Sequence, residues 1–278
     1  SDQAAAATDA HGWRADPWVL VPLLVVGLAY ALGVRRMWSG GGIGAGLQVW
    51  RAGAFAGGIL ALALALLSPV DGMSAELSSA HMVQHELLMV VAAPLLTAGL
   101  PLLGVLWALP LALRRRGMQR VRRPQILAAW NGLTSPAVVF LVHGLAIWAW
   151  HLPALYDAAL QAEWIHGVEH ACFFASAMLF WWGMTRGRYG RLGYGAAVVY
   201  IFATALHTGL LGAALALSQS VWYRAYADST QAWGLSPLED QQVAGLIMWV
   251  PSGAIFTALG LYFFAAWLAE SERRAQVA

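Results

Sequence analysis

Lysine is missing from this chain, and its 16 basic residues are all arginine. The glycine-rich stretch 39–46 (SGGGIGAG) therefore has no Lys-Ser/Thr after it. It also lacks a preceding strand, so it reads as a flexible turn and not as a phosphate loop. Cysteine is almost absent too. Cys172 stands alone, which excludes an internal disulfide and any paired-cysteine metal motif. Charge of either sign is scarce. Charged residues make up 11% of the chain, against about 25% in a soluble domain. No Ser/His/Asp spacing suggests a hydrolase triad, since Ser176 and Ser252 have no spaced partners. The opening Ser1 to Asp16 lacks the basic n-region of a signal peptide.

Hydrophobic residues, by contrast, make up 60% of the 278 residues, and mean hydropathy is +0.61. Several stretches run about 18 residues without a charge, long enough to cross a bilayer. The sequence thus predicts an all-α membrane protein, a bundle of about seven transmembrane helices. The expected spans are 17–34, 51–68, 79–99, 135–152, 163–184, 193–217 and 241–268. Residues 1–16 form a polar N-terminal segment, 17–268 the transmembrane domain and 269–278 a cytoplasmic tail. Within the domain, 100–134 alternates Leu/Trp blocks with arginines and is expected to lie on the membrane surface as amphipathic helices.

Arginine placement sets the orientation. Fourteen of the 16 fall on one side of a seven-span arrangement: Arg35, Arg36, Arg51, six between 114 and 123, Arg186, Arg188, Arg191, Arg273 and Arg274. That side is the cytoplasm, so the N-terminus lies outside and the C-terminus inside. The outer side is acidic, with Asp2, Asp9, Asp71, Glu76, Asp157, Asp228, Glu239 and Asp240 among others. Asp240 and Gln241 open the last span, where they are expected to cap it. The arginine run suits anionic membrane lipid, and no nucleic-acid partner is expected.

Histidine is where the chemistry gathers. Seven of the eight histidines lie in or at the ends of spans. His81 and His85 form one i,i+4 pair, and His166 and His170 another. Such a pair shares a helix face, with Cβ atoms ~6 Å apart, and can converge on one ion. At ~1.5 Å per residue, His81, His151 and His166 lie within ~5 Å of the outer boundary. His85, His170, His143 and His207 lie at ~9–16 Å by the same measure. Glu86 and Glu169 sit beside the deeper tier as ligands or as partners orienting imidazoles. Met248 is a further soft ligand candidate.

Each residue also has a plain structural role open to it. His151 can be an interfacial anchor, the carboxylates can bond a histidine or the backbone, and most methionines simply pack. Two pairs from separate helices at matching depth favour a metal site. Copper fits an imidazole-rich set, and another transition metal would also fit. A haem-binding protein with axial histidines and a two-metal membrane enzyme using Glu86 and Glu169 are the alternatives. A transport path is disfavoured, because the cytoplasmic half of each span has no ionisable residue beyond its terminal arginines.

The motif His81-Met-Val-Gln-His85 followed by Ala93-Pro94-Leu95-Leu96 and Gly99-Leu100-Pro101 resembles the signature of the CtaG-type cytochrome c oxidase assembly factors. Trp150-His151-Leu152-Pro153 with Tyr156-Asp157, His166-Gly-Val-Glu169-His170 with Phe180-Trp181-Trp182, and Gly245 to Pro251 resemble its later motifs. The likeness covers about residues 17–268. It implies a multi-pass protein of the bacterial inner membrane that serves maturation of a caa3-type oxidase and is not itself an enzyme. Implied partners are the oxidase catalytic subunit and a periplasmic or outer-face copper donor, with copper as the cargo. The matching motif positions are His81, His85, His151, His166 and His170; His143 and His207 are added from depth alone.

Overall fold

A computed structural model describes residues 12–186 and 194–277, and every regular element among them is helical. Seven helices open on proline, whose fixed φ and missing N–H suit the first turn. The first is α1 (Pro17–Gly41), capped by the Asp16 carboxylate, which accepts from the Trp18 amide at 2.9 Å. A turn with Gly42, Gly44 and Gly46 all at positive φ leads to α2 (Val49–Leu67); of the stretch 39–46 expected as a turn, 39–41 belong to α1. After the short α3 (Pro69–Ser74), α4 (Ser78–Glu86) runs through a π-helical stretch, Leu87–Ala92, into α5 (Ala93–Gly99). Together they form one 22-residue rod, Ser78–Gly99.

The expected surface segment 100–134 divides into parts with different surroundings. Leu100 adopts a left-handed φ of 57°, which turns the chain into α6 (Pro101–Ala108). α6 folds back on α1, because Gly33 and Gly104 let the two backbones touch. Tyr30 covers Gly104, stacks on Phe55 at 3.6 Å and donates its hydroxyl to the Gly99 carbonyl at 2.7 Å. Only α7 (Leu111–Val121) and α8 (Pro124–Leu133) have no buried residue. α8 bends by 54° into α9 (Pro136–Trp150). There follow α10 (Pro153–Gln161), α11 (Glu163–Arg186), α12 (Tyr194–Ala216) and α13 (Pro237–Val277), the last running on past 268 without a break.

Among the described residues five helical stretches are long and apolar enough to cross a membrane: α1, α2, the Ser78–Gly99 rod, α12 and α13. The bent α8–α9 pair makes a sixth if counted as one. α11 has the length, at 24 residues, but Glu163, His166, Glu169 and His170 reduce its hydropathy. The outer faces are apolar, as lipid contact requires: on α12, Val199, Phe202, Leu206 and Leu210 form an exposed stripe. Two buried clusters fill the interior, one around α1 and α2 and one around α9, α11, α12 and α13, with Phe174 and Met178 of α11 touching both.

The ends of the bundle differ in chemistry. Arg51 donates to the Ala98 carbonyl at 2.9 Å, and Arg36 donates to the Trp107 and Ala108 carbonyls. The Arg51 contact ties an arginine to the far end of the Ser78–Gly99 rod from His81, 17 residues or ~26 Å away, and the Arg36 contacts lie on α6. Asp2 and Asp9 of the polar N-terminal segment, and Arg188 and Arg191, lie outside the described residues.

Candidate metal centre

The site begins with how α4 is held. Its first amides, at Ser78 and Ser79, have no intrahelical acceptor. Asp240 of α13 supplies one, accepting from the Ser78 amide at 2.6 Å and from the Ser79 amide and hydroxyl at 3.1 and 2.5 Å. Asp240 therefore caps α4 and not its own helix, a carboxylate placed where the helix dipole favours it. α13 is capped instead by Ser236 and Glu239, which bond each other's backbone amides. Gln241 accepts from the Trp222 amide at 2.6 Å and donates to the Ser220 carbonyl at 3.1 Å, fixing the loop between α12 and α13.

With α4 anchored, His81 and His85 face α11. His81, His85, Glu169 and His170 bring one ligand atom each to within 4.8 Å of one another. Both Glu169 oxygens point at imidazoles: Oε2 lies 3.5 Å from His81 Nε2 and Oε1 lies 3.8 Å from His85 Nε2. The rings of His166 and His170 are 4.1 Å apart, and His166 lies 5.0 Å from His81. His151, the C-cap of α9, comes to 6.0 Å from His85. So His85 and His170 of the deeper tier join the shallow tier in one cluster built from two helices, α4 and α11, and the end of α9.

The cluster is buried, and many of its ligand atoms have no hydrogen-bond partner. His81, His85 and Glu169 are at most 1% exposed, and His170 is 9% exposed. His81 Nε2, both nitrogens of His85, both oxygens of Glu169 and His170 Nε2 have no hydrogen-bond partner. His151 Nε2 and His166 Nε2 are also unpartnered. Each buried polar atom left unpaired costs about 1–3 kcal/mol. Six such atoms on four adjacent residues make a fold that is expensive without a cation. Around a tetrahedral ion with bonds of ~2.05 Å, donors sit ~3.3 Å apart, close to the two Glu169–histidine distances. The residues present therefore fit a metal ion. The His170 ring meets those of His81 and His85 edge to face, at 6.0 and 5.5 Å.

Around the donors lies a shell of hydroxyls. Tyr226 lies 3.0 Å from His81 Nδ1 and donates to the Ser74 carbonyl at 2.8 Å. Tyr156 stacks on Tyr223 at 3.7 Å and lies 3.3 Å from the Ser78 hydroxyl. Tyr223 donates to the His151 carbonyl at 3.1 Å, and His151 Nδ1 lies 2.7 Å from the Ile147 carbonyl. Burial pushes all three phenols well above the usual tyrosine range, so they remain neutral hydroxyls. None of these tyrosines stands out in the sequence; the spacing of Tyr223 and Tyr226 by three is the one hint that they share a face.

The remaining candidates lie elsewhere. His143 Nδ1 is 3.0 Å from the Ser176 hydroxyl and its ring stacks on Phe180. His207 accepts weakly from Trp148 at 3.4 Å and packs edge-on against Phe140. His143 is eight residues before His151, ~12 Å along the helix axis. Met248 is buried in the apolar cluster, with its carbonyl engaged by Ser252. Glu86 is half-buried with an unpartnered Oε2, but it is not part of the four-ligand group. An apolar cavity of about 480 Å³ between α1, α2 and α11 has His170 in its wall.

Residues 28–270 match the model of the family described as cytochrome c oxidase caa3 assembly factor, and the chain belongs to that family. No curated protein and no solved structure matches it.

Proposed function

We propose that this member of the caa3 oxidase assembly-factor family carries copper, held by His81, His85, His170 and Glu169, and hands it to the oxidase catalytic subunit. The observation that supports this most is the set of unpaired donor atoms converging from α4 and α11. Imidazole serves copper in both of its oxidation states, and a carboxylate adds an anionic donor that favours a cation over a proton-bonded network. Copper is cargo here, so the site must release as well as bind. His166 and His151, one step from the four ligands, supply alternative donors through which the ion can move by ligand exchange.

His170 is the most exposed of the four ligands and borders the lateral apolar cavity, which gives the site a side toward the bilayer. In the proposed topology α11 and the α8–α9 pair complete seven spans, with the N-terminus outside and the arginines in the cytoplasm of a bacterial inner membrane. The cluster then lies near the outer face, within reach of a periplasmic copper donor. α7, exposed and arginine-rich, lies on anionic lipid.

The test is metal analysis of purified protein reconstituted with copper. Wild-type protein is expected to retain copper, and His85→Ala combined with His170→Ala to retain none. Full copper stoichiometry in the double variant would overturn the assignment.

A further inference from the structure

The hydroxyl of Tyr226 has one hydrogen, and its surroundings determine where it goes. The Ser74 carbonyl lies 2.8 Å from the Tyr226 oxygen and can only accept. The phenol must donate there, because otherwise two acceptor oxygens would face each other inside a buried site. Tyr226 then has only lone pairs left for His81 Nδ1, 3.0 Å away. Nδ1 must carry the proton, and the His81 lone pair falls on Nε2, the atom 3.5 Å from Glu169 and without a partner of its own.

We propose that Tyr226 is a positioning residue for the metal centre: by holding the hydrogen of its phenol on Ser74 it fixes His81 in the tautomer whose Nε2 faces the ligand group. This inference rests on the copper reading above for what the lone pair is used for, though not for the tautomer itself. It makes the loop between α12 and α13 part of the site. Tyr226 is only 2% exposed, and its neighbour Ser229 donates to the Glu76 carbonyl at 2.7 Å, so the loop is pinned over α3 and α4. It also sets His81 apart from His85, whose two nitrogens are both unpartnered and whose ring has no such restraint. A metal ligand whose other nitrogen is held by an outer partner typically loses 10–100-fold in metal affinity when that partner is removed.

The experiment uses full-length protein, copper titration and Tyr226→Phe, with Tyr30→Phe as the comparison that removes a buried hydroxyl bonded to a backbone carbonyl at the far end of the rod. Tyr226→Phe is expected to weaken copper binding 10–100-fold, and Tyr30→Phe to change it less than threefold. A merely structural role would not move the tautomer, so nitrogen-15 NMR of labelled histidine is read in the metal-free wild type and in each variant. His81 is expected to be protonated at Nδ1 in wild type and to become a mixture in Tyr226→Phe. Equal copper affinity with an unchanged tautomer in Tyr226→Phe would overturn the proposal. If that variant does not fold, the wild-type spectrum decides: a proton on Nδ1 upholds the assignment and a proton on Nε2 overturns it. Wild-type protein that binds no copper would defeat the metal reading alone, leaving the tautomer to the same spectrum.

Discussion

A lone deeper histidine and a group of three nearer the start of α4 lie in the same bundle and have opposite hydrogen-bonding fates. The deeper His143 lies against Ser176, whose hydroxyl donates to the Phe173 carbonyl at 3.1 Å, so the imidazole N–H has an acceptor and the ring a stacking partner. The group of His81, His85 and His170 with Glu169 has the same residue type at comparable burial, yet its nitrogens and carboxylate oxygens face one another unpaired. Burial is therefore not what marks a ligand. A structural imidazole resolves its polar atoms within the fold, whereas a binding imidazole retains a lone pair that no neighbour uses.

Substitutions can break that contrast at either end. The largest effect is expected from Glu169→Leu, which removes the only carboxylate of the four-ligand group. Copper affinity should fall about 100-fold or more, while the metal-free protein should be no less stable, because two orphaned oxygens leave with the side chain. A marked loss of metal-free stability would mean that the carboxylate is already satisfied. Next comes Asp240→Ala, which strips two buried amides of α4 of their acceptor and should reduce unfolding free energy by about 2 kcal/mol. Since α4 carries both His81 and His85, copper affinity should fall with it; unchanged affinity would detach the cap from the site. The smallest effect belongs to the deeper histidine. His143→Leu should lose about 1 kcal/mol with its hydrogen bond and leave copper stoichiometry intact. Copper loss in that variant would join His143 and the group into one path.

The sequence carried much of this in its spacing. An i,i+4 pair occupies one helix face wherever the helix goes, so His81 with His85 and His166 with His170 were legible at once. Family motifs added His151, whose ring reaches the cluster only because α9 stops at Trp150 and the chain turns there. Depth counting placed His143 and His207 beside His85 and His170, and the structure puts His143 against Ser176 and His207 against Trp148 and Phe140 instead. That count assumes straight spans with level ends. The π-helical turn after Glu86, the 15-residue α9 and the short helices α3 and α10 all depart from that assumption. Asp240 was read as capping its own helix because it opens one; that it caps α4 depends on packing between elements 161 residues apart. Tyr226 ends a single 3-10 turn, Arg224–Tyr226, too short for a hydrophobic period, and only its spacing of three from Tyr223 marks it. The span count shows the same limit. α11 carries half of the candidate site and lacks the apolar character by which spans are recognised.

X-ray absorption of the copper-loaded protein tests the central claim most directly, because it reads the donors around the metal. The account predicts copper surrounded by nitrogen and oxygen with the multiple-scattering signature of at least two imidazoles, lost when His85 and His170 are replaced together. Retained copper without an imidazole signature, or a signature that persists in the double variant, would contradict it.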